Sequence, residues 1–79
     1  MLKPVQLKIL AFIKGYVIVH GYPPSIRDIQ SSVGYVSTSG VTYQLNTLEK
    51  GGYIMRDRSI ARSIRLTGKG QKSLNKPAK

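Results

Sequence analysis

The stretch SIRDIQSSVGYVSTSGVTYQLNTLEK, residues 25–50, decides the fold. Ser25 stands before Ile26, Ile29 and Val33, which form one apolar stripe at helical spacing, and Asp28 follows three residues later as a shortened capping-box partner. Gly34 ends this helix after barely two turns. Between Gly34 and Ser37 there is room only for a tight turn, after which Ser37 or Thr38 can cap another helix running to about Lys50. At about 100° per residue, Val41, Leu45 and Leu48 fall within one narrow stripe of that helix. Ser39, Tyr43, Asn46 and Lys50 fall on the opposite side, with Thr42 at its edge, and Gly51-Gly52 terminates the helix.

Toward the N-terminus, Gly21-Tyr22-Pro23-Pro24 cannot be helical, because successive prolines remove donors and push the preceding residue into an extended conformation. Before it, Val5, Ile9, Phe12, Ile13, Tyr16 and Val17 recur at spacings of three and four, which predicts a first helix from Pro4 to about Val19. Lys3 is a weak N-cap, so a frayed start is expected, and Gly21 supplies the stop. On the other side, Tyr53–Asp57 and Ser63–Leu66 read as two antiparallel strands with Ile54, Ile64 and Leu66 facing inward. The connection between them lacks a tight-hairpin signal. Thr67 can cap a short helix from Gly68 to Leu74, ahead of a frayed Lys-Pro-Ala-Lys tail.

The 79 residues give room for one domain, residues 1–79, which buries only about 60% of its unfolded surface. With no Cys, there is no disulfide scaffold, thiolate metal site or cysteine nucleophile. One His, His20, and three carboxylates, Asp28, Glu49 and Asp57, could assemble at most a poor metal site or a single acid/base pair, so neither an enzyme nor a cofactor is expected. No apolar run approaches the ~20 residues of a membrane span, and the start does not resemble a secretory signal. The expectation is a cytoplasmic, nucleoid-associated chain with no membrane partner.

Thirteen Lys and Arg against three acidic residues leave a net charge of +10. Residues 1–49 contribute +2 and residues 50–79 contribute +8, so the basicity belongs to the C-terminal third. Such asymmetry suits a partner rich in phosphate. A short helix, a turn at Gly34, a helix with one apolar face and a basic hairpin together make a winged helix-turn-helix: mainly α with a small antiparallel β-hairpin, three helices, a two-stranded wing and a short C-terminal helix. In that arrangement the third helix enters the major groove of double-stranded DNA, and its N-terminal residues reach base edges.

This geometry selects Ser37, Thr38, Ser39, Gly40, Thr42, Tyr43 and Asn46 as base-contacting candidates. Gly40 costs about 1 kcal/mol relative to alanine inside a helix, and close approach by a partner is one reason to keep it. Arg27, Lys50, Arg56, Arg58, Arg62 and Arg65 are the candidates for backbone or wing contacts. About five phosphate contacts would give a salt slope near −4.5. Simpler uses exist for each group: helix caps and solvated polar side chains for the first, and a charged edge that discourages sheet aggregation for the second. Two other functions fit the same pattern, a winged-helix module that binds a protein partner and a binder of RNA or of nucleic acid without sequence preference. A homodimer on paired half-sites is also compatible, because one helix-turn-helix covers few base pairs.

Gly21-Tyr22-Pro23-Pro24-Ser25-Ile26-Arg27-Asp28-Ile29, Val33-Gly34, Ser37-Thr38-Ser39, Val41, Tyr43, Leu45, Leu48-Glu49, Gly52-Tyr53-Ile54 and Arg56-Asp57 resemble the N-terminal DNA-binding domain of the LexA repressors. The resemblance runs to Leu66 and leaves residues 67–79 as an extension. It implies operator binding and repression, with Ser37, Ser39, Gly40, Thr42 and Tyr43 as contact residues. The wing tip lacks the proline often found in that family. The serine-lysine self-cleaving domain that follows in LexA is not in these 79 residues, so neither autoproteolysis nor a damage response is expected of them. The chain reads as a small regulator complete in itself or as a fragment of a larger one.

Overall fold

A computed structural model describes residues 2–57, 59–60 and 62–74. Among the described residues the chain forms α1 Pro4–His20, α2 Ile26–Val33, α3 Thr38–Lys50, β1 Ile54–Met55, β2 Arg65–Leu66 and α4 Gly68–Leu74. This is the winged helix-turn-helix order, with β1 and β2 as one antiparallel hairpin. No helix among these residues is long and apolar enough to cross a membrane.

The start of α1 is better tied than its cap residue suggests. Lys3 has no side-chain acceptor, but the Gln6 side-chain carbonyl accepts the Lys3 backbone N–H at 2.8 Å. Gln6 is buried, and its Nε2 donates across to Gln44 Oε1 of α3 at 3.1 Å. The inward arc of α1 also differs from the expected stripe. Ile9, Leu10 and Ile13 are buried, Val5 and Phe12 pack at the margin, and Tyr16 and Val17 are only half-buried. α2, β2 and α4 all pack against α1, and Leu10 is fully buried with them.

At α2 both halves of the capping box form: Ser25 Oγ accepts the Asp28 N–H at 3.1 Å, and Asp28 Oδ2 accepts the Ser25 N–H at 2.9 Å. Gly34 closes the helix with φ 77°, a left-handed conformation suited to a residue without Cβ, and its N–H donates to Gln30 O at 2.9 Å. Gln30 then holds the turn, its side-chain Nε2 donating to Tyr35 O at 3.1 Å. The Tyr35 ring lies over Gly40, where an added Cβ would sit 3.4 Å from the ring. An internal packing partner therefore occupies the space that the sequence reading offered to an external one.

Ser37 is the N-cap of α3, but neither it nor Thr38 supplies the expected side-chain cap; Ser37 Oγ pairs with Ser39 Oγ at 2.8 Å. Val41, Leu45 and Leu48 turn inward as expected and join Ile9, Leu10, Ile13, Ile29, Ile54 and Ile64 in one core.

The strands are two residues each, shorter than the sequence suggested, in register Ile54↔Leu66 and Met55↔Arg65. The ladder stops because the Ser63 hydroxyl takes over at Asp57, accepting its N–H at 2.9 Å and donating to its carbonyl at 2.8 Å. After β2, Thr67 Oγ1 accepts the Gly70 N–H at 3.1 Å and donates to Gly52 O at 2.5 Å, so one hydroxyl caps α4 and ties it to the end of α3. Gly70 is buried against Tyr53, and a Cβ there would overlap the Tyr53 carbonyl oxygen.

Candidate nucleic-acid interface

Because Val41, Leu45 and Leu48 anchor the inner face of α3, its outer face is fixed in space and presents an almost uncharged set of hydrogen-bonding groups. Ser37, Thr38, Ser39 and Asn46 are exposed, and Tyr43 is 66% exposed at the centre of that face. Gly40 is half-buried under Tyr35. Thr42 turns to the side, into a groove of about 730 Å³ bounded by the start of α2, α3 and the wing. Arg27, Asn46, Arg56, Ile60 and Arg62 line the same groove. Lys50 is exposed at the other end of α3, about 18 Å along the axis from Thr38.

The arginines divide into two kinds. Arg27 on α2 and Arg65 on β2 are exposed. Arg62 instead fastens the wing to the helices: its Nη1 donates to Tyr16 Oη at 3.1 Å, to Pro23 O at 3.2 Å and to Asp28 Oδ2 at 3.1 Å. Its guanidinium carbon lies 5.1 Å from the Tyr22 ring centroid, within cation–π range. It does this from a left-handed backbone, φ 57°, which a non-glycine residue adopts only when the surroundings hold it there. Arg56 pairs with Glu49 at 3.1 Å and also meets Asn46. Arg58 lies outside the described residues.

The carboxylates near the groove are committed to local structure. The Ser25 backbone N–H, more than the nearby Arg62 charge, holds the Asp28 carboxyl below its ordinary range. The Ser59 hydroxyl, donating to Asp57 Oδ1 at 2.6 Å, does the same for Asp57, helped by the Ser59 N–H at 2.9 Å. That turn sets Ile60 on the surface of the wing. His20 stacks beside Tyr16, ring centroids 4.0 Å apart, in the aromatic cluster that receives Arg62. Among the described residues no three His, Asp or Glu side chains gather to hold a metal ion.

Sequence reasoning did not find the Asn46–Arg56–Glu49 group, although the spacing of Asn46 and Glu49, three residues apart on one helix, puts them on one face. It also did not single out Ile60 or the fully exposed Val36, because isolated apolar residues carry no periodic signal.

The family model for the LexA DNA binding domain matches residues 1–63. The LexA repressor of Geobacter metallireducens is 43% identical over 76 residues, 96% of this chain and 38% of that protein. LexA repressor 1 of Geobacter sulfurreducens is 38% identical over the same shares. The LexA repressor of Mycobacterium leprae is 48% identical over 63 residues, 80% of this chain and 27% of its own length. The chain thus spans well under half of the relatives it matches.

Proposed function

The chain belongs to the LexA DNA-binding domain family, and from that premise we propose that it binds double-stranded DNA sequence-specifically and represses transcription. The observation that carries this reading is the outer face of α3. Hydroxyl groups are clustered at its N-terminal half, with the Asn46 amide a turn further along and no charge among them, beside a groove whose far wall is the wing. Such a face reads base edges, while cations elsewhere position the duplex.

In this reading Ser37, Thr38, Ser39, Thr42, Tyr43 and Asn46 meet bases in the major groove, with Gly40 letting the Tyr35 ring pack against the start of α3. Arg27 and Arg65 meet phosphates on either side, and Arg58 joins them by its place in the chain between β1 and β2. Arg62 acts as a fastening rather than a contact. The phosphate count then falls from about five to about four per chain, Lys50 included, and the salt slope to about −3.6. Two chains bind paired half-sites, since one recognition helix covers too few base pairs for high specificity. The place of action is the cytoplasm, at the nucleoid.

Selection from a randomised duplex library at about 150 mM salt tests this, because charge-driven binding is already weakened there. The expected outcome is one enriched motif, with a repeat whose spacing reflects two bound chains. Retention of all duplexes alike by a folded chain would overturn the reading.

A further inference from the structure

The outward side of a surface helix is normally polar. On α2 the exposed residues are Arg27 and Ser31, but α1 departs from this pattern. Opposite its buried arc of Ile9, Leu10 and Ile13, α1 carries Leu7, Ala11, Gly15 and Ile18 at spacings of four, four and three, with Val19 beside them. All five are exposed, Ile18 at 73% and Val19 at 77%. The middle of this stripe is low, since Ala11 is small and a Cβ added at Gly15 would meet nothing within 4 Å. Its two ends are high. Lys8 is the charged residue on this arc, and α1 has no acidic residue.

These features fit a second copy of the same chain. With two α1 helices antiparallel about a two-fold axis, Ala11 of each meets Gly15 of the other and the backbones approach closely. Leu7 and the aliphatic stem of Lys8 then cover Ile18 and Val19 of the second copy, and every contact occurs twice. Charge points the same way. A polyanion or an acidic protein calls for several cations, and this stripe holds Lys8. Residues 1–49, to which α1 belongs, carry +2 of the net +10, so two copies repel least on this side. Area sets the strength. A 17-residue helix is about 25 Å long and presents a face about 10 Å wide, so the pair buries on the order of 600 Å². A stable complex needs about 1,200 Å² or more, so this pairing is weak in free solution, with a Kd on the order of 1 mM.

Resting on the DNA-binding reading above, in which two chains occupy paired half-sites, we propose that the outer stripe of α1 is the surface through which those chains pair. α1 and α3 turn their inner faces to one core, so the stripe stays clear of the α3 face offered to DNA. A duplex that holds both chains raises their effective concentration to the millimolar range, where the weak contact becomes effective.

The test follows backbone amides by NMR from roughly 0.05 to 2 mM chain, a range that brackets the expected Kd. Raised ionic strength screens the like charges. The wild type is expected to show concentration-dependent shifts at Leu7, Ala11, Gly15, Ile18 and Val19. Ile18→Gln and Gly15→Leu should abolish them. Gly15→Leu is the sharper variant: leucine has open space there and is the better helix former, so the chain stays folded, as a melting curve will confirm. It also adds apolar surface, so indiscriminate stickiness would grow while close helix pairing is blocked. On a selected duplex with two half-sites, the wild type should bind the second chain about 3- to 10-fold more tightly than the first, and both variants should lose that gain while keeping their affinity for a single half-site. A spectrum unchanged across the concentration range would overturn the pairing and leave the stripe to a different protein. Shifts confined to α3 or the wing would also overturn it, as would pairing preserved in Gly15→Leu. Broadening of the stripe amides by vesicles of phosphatidylglycerol and phosphatidylethanolamine, without concentration dependence, would assign the stripe to a lipid surface instead. Independent filling of the two half-sites by the wild type would remove the role on DNA. A wild-type chain that enriches no sequence would count against the DNA-binding reading alone, because the concentration series still decides whether the chains pair.

Discussion

In residues 2–50 the outward hydroxyls of α3 ride on a helix whose opposite face is closed by apolar packing; seven of the nine core residues, all but Ile54 and Ile64, come from this part of the chain. In residues 51–74 Ile54 and Ile64 join that core, with Tyr53, Leu66 and Leu74 packed against it, and directional polar contacts fasten the hairpin and α4 further. Arg62 reaches Tyr16, Pro23 and Asp28, Thr67 reaches Gly52, and Lys69 Nζ donates to Gly51 O at 2.7 Å while lying over the Tyr53 ring. The same residue type therefore means different things in the two regions. Among the described basic residues of the C-terminal third, a structural tie is as common as an exposed cation, so the formal charge of that third overstates what a phosphate backbone would meet.

The contrast can be broken most forcefully at Leu45. Leu45→Ala removes a fully buried side chain and is expected to cost about 2–5 kcal/mol in urea unfolding, enough to unfold a domain this small. A loss under 1 kcal/mol would show that α3 is not held chiefly by its apolar face. Gly70→Ala comes next, at about 1–3 kcal/mol, because the new methyl must displace the Tyr53 backbone. An unchanged melting temperature would mean that α4 does not anchor the hairpin.

Smaller again is the acid limb of stability. Asp28 titrates below its ordinary range in the folded chain, so its contribution is present above about pH 4 and fades as pH falls through the lower folded value. Asp28→Asn should lower stability at neutral pH by about 1 kcal/mol, a typical value for a helix cap, and flatten part of the fall seen in melts between pH 2 and pH 6. An acid limb as steep as that of the wild type would remove Asp28 from the account. The smallest stability effect belongs to Tyr43→Ala, expected within about 0.5 kcal/mol because the ring is exposed. In duplex selection the same variant should flatten base preference, and that pairing of effects sharpens the distinction between the two faces of α3.

The helical half was legible because periodicity and punctuation agreed. Ser25, Gly34, the stripe Val41-Leu45-Leu48 and the break at Gly51-Gly52 each specify a local conformation without help from the rest of the chain. The hairpin was legible in kind but not in length, since its ladder ends through a Ser63 side chain that pairing rules between strands do not anticipate. The burial of Gln6 carries no signal in the sequence, because its partner, Gln44, is 38 positions away. The same limit applies to the candidate site. The exposed positions on α3 followed from the wheel, whereas the ties of Arg56 and Arg62 depend on where three separate elements meet.

The link from Lys3 through Gln6 and Gln44 to the Tyr35 hydroxyl joins α1 to α3 and to the turn before it entirely through uncharged side chains and backbone. Dissolved ions screen charges over distances near 10 Å at 0.1 M but leave contacts of this kind almost untouched. Ionic strength therefore works on this molecule as a control of one variable. Raising it weakens the attraction between the exposed arginines and a polyanion, while the angle at which α3 is offered stays as it was.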